Sequence, residues 1–172
     1  TNAGYAGLIT FTAQFVENGV SQGIGAFIVE TGTQGLKLSP PEKKMGWKAS
    51  DTRTVYFEDM RIPKSNIIGS PKSGFKQFLN TLTSGRITIG ALSLGTAQGG
   101  YEAALNYSCE RDAFGKKIAD FQGVNFKLAD MATKIEASKH LVYHAAYLKD
   151  KGFDVIKEAA MAKLFSSETA MQ

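Results

Sequence analysis

The spacing of apolar residues changes once along the chain, near residue 73, and this change constrains the fold more than any other feature. In residues 5–15 the odd positions are mostly apolar, as at Ile9 and Phe11, whereas Thr10 and Thr12 occupy even ones. Such alternation is typical of a half-buried strand. After Ser73 the apolar residues recur at helical spacing instead. The chain is therefore predicted to be α+β, with strands first and helices after them.

Three shorter segments continue the strand-rich part, at residues 24–30, 36–38 and 53–58. Asn18-Gly19 separates the first two strands, and both residues accept a positive φ at low cost. Pro40, Pro41 and Pro63 mark segments that cannot lie in the centre of a sheet. Residues 1–72 are therefore predicted to form a β module with an open edge.

Three helices are predicted in the second part, at residues 74–109, from 120 to about 151, and from 154 to the last residue. Asp120 and Asp154 are the predicted N-caps, and Gly152 is the predicted end of the middle helix. Glycine costs roughly 1 kcal/mol against alanine inside a helix. We therefore interpret the glycines of the first helix as places where a helix or a ligand approaches closely: Gly85, Gly90, Gly95, Gly99 and Gly100.

Composition excludes several classes of protein. The net charge is +4, and the basic residues are interleaved with acidic ones, whereas a nucleic-acid binder concentrates them on one face. No apolar run reaches the roughly 18 residues of a membrane span. Cys109 is the single cysteine, which excludes an internal disulfide framework. A mildly positive surface favours anionic ligands such as a phosphate-bearing cofactor or coenzyme A.

Two clusters carry the functional signal. Residues 44–52 read Lys-Met-Gly-Trp-Lys-Ala-Ser-Asp-Thr and residues 55–63 read Val-Tyr-Phe-Glu-Asp-Met-Arg-Ile-Pro, which together form the first cluster. Residues 110–122, the second cluster, read Glu-Arg-Asp-Ala-Phe-Gly-Lys-Lys-Ile-Ala-Asp-Phe-Gln. In this order and spacing they resemble the acyl-CoA dehydrogenase family of flavoproteins, and the resemblance covers the whole chain. It implies that residues 1–72 belong to a β-barrel-like middle domain. Residues 73–172 would then be the first three helices of an antiparallel four-helix bundle.

Arg111 is the leading candidate for a cofactor contact. Its planar guanidinium matches a pyrophosphate, although an exposed arginine at a helix end is ordinarily a solvated cap. In the family an Arg-x-x-Phe-Gly…Gln pattern binds the FAD of an adjacent subunit, and a Thr-Asn pair lies at the flavin edge. The resemblance thus implies a set of FAD-binding residues: Thr1, Asn2, Arg111, Ala113, Phe114, Phe121 and Gln122.

The resemblance also implies an acyl-CoA site on the first long helix, with Ser21 near the pantetheine. The implied residues there are Thr83, Ser84, Gly85 and Arg86. Many family members carry Asp where Thr83 stands, and long-chain and isovaleryl-type members carry their catalytic Glu where Gly85 stands. No catalytic residue is therefore predicted in this chain, and the base is expected beyond Gln172.

The implied activity is FAD-dependent α,β-dehydrogenation of a short-chain acyl-CoA, as in fatty acid β-oxidation, with hydride transfer to flavin N5. The expected partners are an electron-transfer flavoprotein and further copies of the chain in a homotetramer. The expected compartment is the cytoplasm in a bacterium or the mitochondrial matrix in a eukaryote. Two alternatives stay open: an acyl-CoA oxidase or nitroalkane-oxidase-like enzyme of the same fold, and a non-catalytic homologue that serves binding or assembly.

Other residues with chemical potential are assigned structural roles. His140 and His144 have a spacing that can hold zinc, but no third ligand accompanies them, so they are predicted to be surface histidines. The glycine-rich residues 95–100 lie within a helical pattern rather than after a strand, which excludes a dinucleotide fingerprint. No metal site is predicted.

Overall fold

The computed structural model describes residues 1–172 and confirms the α+β class. Two compact units, Thr1–Leu79 and Asn80–Gln172, divide within the first long helix. The predicted domain boundary after residue 72 stays a prediction. In chain order the strands and helices are β1 (Leu8–Glu17), β2 (Val20–Glu30), β3 (Leu36–Leu38), β4 (Val55–Phe57), α1 (Gly74–Glu110), β5 (Asp112–Ala113), β6 (Lys116–Lys117), α2 (Gln122–Asp150) and α3 (Ile156–Met171).

The antiparallel hairpin of β1 and β2 is the largest sheet of the first unit. Its two-residue turn consists of Asn18 and Gly19, with φ values of 51° and 75°, as a type I′ turn requires. Tyr5 was predicted to lie in the first strand, but it precedes β1 and is 85% exposed. The reason is a local turn, in which the amide nitrogens of Tyr5 and Ala6 both donate to the carbonyl oxygen of Asn2.

The strands form three separate two-stranded antiparallel ladders and no closed barrel. In the first unit, β3 pairs with β4, and Phe27 of β2 forms an isolated bridge with Ile67. The Phe11 ring lies 5.4 Å from the Phe27 ring and 4.4 Å from the Phe57 ring, measured between centroids. These rings join the β1–β2 hairpin to the β3–β4 pair.

The three helices of the second unit enclose a small apolar core of Ile87, Val142, Ala145, Val155, Ala159 and Ala162. A Cβ atom at Gly90 of α1 would lie 3.3 Å from a Val142 methyl and 3.4 Å from the Ala162 backbone. The predicted close approach is thus confirmed at Gly90. At the other four glycines, Gly85, Gly95, Gly99 and Gly100, an added Cβ would meet nothing within 4 Å.

The predicted helix ends were correct at one position and wrong at two. Gly152 follows α2 with a φ of 80°, as predicted. The N-cap residue of α3 is Val155 and not the predicted Asp154, although the Asp154 Oδ1, one residue earlier, accepts from the Ile156 amide at 3.2 Å. The prediction for Asp120 was wrong: a 3₁₀ turn over Ile118–Asp120 intervenes, and the N-cap residue of α2 is Phe121, whose side chain makes no capping bond. No helix has the length and apolar character needed to cross a membrane.

Candidate functional site

The chain reverses direction immediately after α1 in a short hairpin that carries the predicted FAD-binding cluster. Phe114 and Gly115 form the turn between β5 and β6, with φ values of 52° and 82°. A bulky residue at positive φ is a backbone outlier, and such outliers concentrate at functional sites. Sequence reasoning missed this hairpin because each strand contributes only two residues. The Phe-Gly pair was its one local signal.

The hairpin brings two aromatic side chains together. The Phe114 side chain is almost fully exposed, and its ring meets that of Phe121 edge to face, with 6.3 Å between centroids. The Lys116 ammonium lies 4.2 Å from the Phe121 centroid. Gln122 is the exposed first residue of α2, and Ala113 is half-buried in β5. The cluster therefore offers an aromatic face, a cation and an amide on one exposed surface.

Arg111 lies at the base of the hairpin with an uncommitted guanidinium. Its backbone is fixed, because the Ile118 amide donates to the Arg111 carbonyl oxygen at 2.9 Å. The neighbouring carboxylate of Asp112 is paired with Lys117 at 2.9 Å, and Arg111 takes part in none of the ion pairs of the chain. An exposed guanidinium fork without an internal partner suits a pyrophosphate. The donor set at this hairpin therefore fits the phosphate-bearing part of FAD.

Thr1 and Asn2, the other predicted FAD-binding residues, lie in the first compact unit, whereas the hairpin lies in the second. Both are exposed. Asn2 has a φ of 59°, and its amide donates to the Asp51 carbonyl oxygen at 2.7 Å. The turn that bears these two residues is thus held by a segment about fifty residues further along the chain.

The predicted substrate residues divide between a strand and α1. Ser21 is exposed on β2, where its hydroxyl accepts from the Gln14 side chain at 2.9 Å. In α1 the Ser84 hydroxyl accepts from Lys149 of α2 at 2.6 Å. Thr83, Gly85 and Arg86 are half-buried. Ser84 is therefore engaged by α2, whereas its neighbours keep part of their surface open.

Gly85 belongs to an exposed apolar stripe on α1, which we call the α1 stripe: Leu82, Gly85, Ile89 and Leu92. The three large side chains are 57%, 40% and 46% exposed, in that order. Gly85 has open space where a side chain would project. The stripe thus presents an apolar surface with a gap in the middle, a shape that suits an extended apolar chain.

The pKa of the Asp51 carboxyl is displaced by its hydrogen-bond partners. The hydrogen bond from the Gly4 amide is the largest cause, and together with Arg53 it holds the pKa of Asp51 below the ordinary aspartate range, although burial acts in the opposite direction.

No cluster of three or more His, Cys, Asp or Glu side chains is arranged to hold a metal ion. His140 is exposed and lies 3.4 Å from Glu136.

The order of the strands and helices defines an α+β protein whose helical unit carries an exposed, unpaired arginine at a short hairpin between two long helices. The family model described as acyl-CoA dehydrogenase, C-terminal domain, matches residues 72–172. This chain belongs to the acyl-CoA dehydrogenase family, and the resemblance found in the sequence is confirmed.

The relatives agree with this assignment. The chain is 47% identical over 171 residues to the probable acyl-CoA dehydrogenase YngJ of Bacillus subtilis, covering 99% of this chain and 45% of that protein. It is 45% identical over 148 residues to the CarC subunit of the caffeyl-CoA reductase–Etf complex of Acetobacterium woodii, covering 86% of this chain and 39% of that protein. The chain thus spans less than half the length of these relatives.

Among solved structures, butyryl-CoA dehydrogenase from Megasphaera elsdenii superimposes with a TM-score of 0.93 at 40% identity. The alignment covers 99% of this chain and 44% of that one. The likeness therefore extends through the strands as well as the helices.

Proposed function

We propose that this chain supplies FAD-binding and substrate-binding residues to a short-chain acyl-CoA dehydrogenase. The observation that carries the proposal is the exposed, unpaired Arg111 at the base of the hairpin that bears the exposed Phe114, in a chain of this family. The short-chain preference is supported by the similarity to butyryl-CoA dehydrogenase.

In this proposal each part of the cofactor meets a matching group. Arg111 binds the pyrophosphate through charge-assisted hydrogen bonds, and the Gln122 amide binds nearer the adenosine. Ala113, Phe114 and Phe121 form the surface around them, while Thr1 and Asn2 orient the flavin edge. When bound, FAD supplies the hydride acceptor for the β-hydrogen of the substrate.

The proposed substrate residues bind and orient the acyl-CoA. The α1 stripe receives the acyl chain, with Gly85 leaving room in its middle. Ser21, Thr83, Ser84 and Arg86 complete the site for the coenzyme A thioester. The thioester carbonyl must be polarised before a carboxylate can remove the α-proton. We propose that this base comes from beyond Gln172, because none of the assigned residues is a carboxylate.

The electron acceptor is proposed to be an electron-transfer flavoprotein, as the Etf complex that contains the CarC relative suggests. The proposed assembly is a homotetramer in which Arg111 reaches the FAD of an adjacent subunit. The proposed pathway is fatty acid β-oxidation, in the cytoplasm of a bacterium or the mitochondrial matrix of a eukaryote.

The test is the visible spectrum of the purified full-length protein before and after anaerobic addition of butyryl-CoA. We expect bound FAD whose absorbance near 450 nm bleaches on addition, and we expect Arg111→Gln to weaken FAD binding by about tenfold, the effect of one lost charge-assisted contact. Arg61→Gln, at an exposed arginine of the first unit, is the matched control.

Other outcomes distinguish the alternatives. Bleaching that is reversed by oxygen at the rate of turnover would indicate an acyl-CoA oxidase. Bound flavin that stays oxidised with acyl-CoA but is reduced by a nitroalkane would indicate a nitroalkane-oxidase-like enzyme. A protein that binds no flavin after reconstitution with FAD would be a non-catalytic homologue.

A further inference from the structure

The turn that follows Thr1 is held by one carboxylate from a distant part of the chain. Asp51 Oδ2 accepts from the Gly4 amide at 2.8 Å, and the Asp51 carbonyl oxygen accepts from the Asn2 amide at 2.7 Å. Asp51 therefore binds two backbone amides that lie on either side of Ala3, which is 5% exposed. Two contacts at alternate residues fix both the position and the direction of this turn.

Arg53 in turn fixes the carboxylate. Its Nε donates to Asp51 Oδ1 at 2.9 Å and to Oδ2 at 3.1 Å, and its Nη1 lies 3.4 Å from the Ser39 carbonyl oxygen. The Asp51 side chain is 5% exposed and that of Arg53 is 22% exposed. Such shielded pairs hold their geometry better than solvent-exposed ones, because solvent competes less for the charges.

The guanidinium also packs directly against the backbone of the turn. A Cβ atom at Gly4 would lie 2.5 Å from Arg53 Nε and 2.6 Å from its Cζ. The close approach therefore requires glycine at this position, and it leaves Arg53 no freedom to move away while it remains bound to Asp51. We call Gly4, Asp51 and Arg53 the Asp51 clamp.

We propose that Asp51, oriented by Arg53, is a positioning residue for FAD: the Asp51 clamp sets the backbone that presents Thr1 and Asn2 to the flavin edge. This inference rests on the proposed function. The hydrogen bonds of Asp51 support it, because its carbonyl oxygen accepts from the Asn2 amide while its carboxylate accepts from the Gly4 amide. Asn2 itself adopts its positive φ at low cost, and these two bonds fix where the turn presents it.

The charge of Asp51 is what the clamp requires. An ionised carboxylate is an acceptor at both oxygens, and here Oδ1 and Oδ2 face donors from Gly4 and Arg53. An asparagine keeps the size of the side chain but replaces one acceptor oxygen with an NH₂ group, which then faces another hydrogen-bond donor. Asp51→Asn therefore loosens the turn without creating a cavity.

The experiment compares full-length Asp51→Asn with the parent protein and with Glu58→Gln. Glu58 pairs with Lys37 in the same unit, but this pair is 57% and 64% exposed, so the control removes an equal charge without touching the turn. Titration of each apoprotein with FAD gives the affinity, and the visible spectrum at saturating FAD gives the environment of the bound ring. We expect about tenfold weaker binding and an altered spectrum for Asp51→Asn only.

Gly4→Ala is the second variant, because it disturbs the clamp while leaving both charges in place. We expect it to change the FAD affinity and the saturated spectrum in the same direction. If Asp51→Asn does not fold, this variant decides the question. A merely structural clamp would lower the melting temperature of both variants and leave affinity and spectrum unchanged, which would overturn the inference.

Failure of the proposed function has a different signature. If the parent protein and Glu58→Gln both bind no FAD, the proposed function and this inference fall together. If the parent binds FAD and Asp51→Asn and Gly4→Ala bind it equally well, only the inference falls.

Discussion

Different kinds of interaction stabilise the inside of each of the two compact units. In the first unit, directional polar contacts join segments that are distant in the chain. They are the Asp51 clamp and the hydrogen bond that the Asn66 side-chain amide donates to the Ile28 carbonyl oxygen at 2.8 Å. In the second unit, small side chains on the helices pack into one core, and Ala145, Ala159 and Ala162 are fully buried. Hydrogen bonds fix geometry, whereas close packing fixes volume.

This difference indicates which substitutions each unit tolerates. A polar contact is sensitive to charge and protonation, since each donor needs its acceptor. A core in which alanines such as Ala145, Ala159 and Ala162 are fully buried is sensitive to added volume, because close packing leaves little room for a larger side chain. The three predictions that follow test this division in order of decreasing effect.

The largest effect is expected from added volume in the helical core. Ala162→Leu inserts three carbon atoms where the backbone of α3 faces Gly90, so we expect a loss of about 2–3 kcal/mol in the free energy of unfolding. Ala160→Leu, at an exposed position of the same helix, should change it by no more than about 0.5 kcal/mol. Urea denaturation of both variants measures the difference. Equal stabilities would show that the core accommodates a larger side chain.

A smaller effect on stability is expected from alanine substitutions at two glycines of α1, one facing open space and one facing another helix. Gly85→Ala should stabilise the protein by about 0.5–1 kcal/mol, because alanine is the better helix former and the added methyl meets nothing. At Gly90 the same methyl would lie 3.3 Å from a Val142 methyl, which is a tight contact, and 3.4 Å from the Ala162 backbone, so Gly90→Ala should lack this gain.

The measurement is thermal unfolding of the two variants beside the parent protein. Destabilisation by Gly85→Ala would show that another segment or subunit covers the α1 stripe. Stabilisation by Gly90→Ala would show that the helices separate at little cost.

The smallest effect is expected from acid, and it should appear in the first unit. The folded pKa of Asp51 is lowered, so its stabilising contribution is complete above the ordinary aspartate pKa of about 3.9 and is lost as the pH falls through the lowered value. Hydrogen exchange of the Gly4 amide between pH 6 and pH 2, corrected for the intrinsic rate, measures it, because this amide donates to the carboxylate. We expect its protection to fall only at the acidic end, while the Asn2 amide, which donates to the backbone carbonyl oxygen of Asp51, keeps its acceptor.

The control for this experiment is Asp51→Asn, in which the protection of the Gly4 amide should be low and independent of pH after correction for the intrinsic rate. A parent protein whose Gly4 amide shows the same protection as the Asn2 amide down to the pH at which the unit unfolds would contradict the assignment of the carboxylate as its acceptor. Glu58→Gln should behave as the parent does.

Much of the fold could be predicted from the sequence because local patterns specify it. Alternation in β1, the Asn18-Gly19 turn and the end of α2 at Gly152 each depend on residues near one another in the chain. The prediction for Asp120 was wrong because its residue type is typical of a cap, while the 3₁₀ turn that includes it gave no local signal. The prediction for Tyr5 was wrong because its ring fitted the alternation, although a backbone turn over Asn2–Ala6 precedes the strand, which begins only at Leu8.

The candidate site was predicted from the family resemblance and not from local patterns. The resemblance named Arg111, Phe114 and Gln122, and their roles in FAD binding stay predictions. The spacing alone did not indicate that Lys117 would occupy the Asp112 carboxylate and leave Arg111 free. The contact between Asp51 and Gly4 joins residues that are 47 positions apart, and no periodicity predicts such a pair.

The sequence by itself determined the α+β class, the order of strands and helices and membership of the acyl-CoA dehydrogenase family, because hydrophobic period and short-range motifs are properties of neighbouring residues. Only the tertiary structure decided which glycine of α1 faces another helix and which carboxylate holds the turn after Thr1. Both are contacts between segments far apart in the chain, and their geometry exists only after the chain has folded.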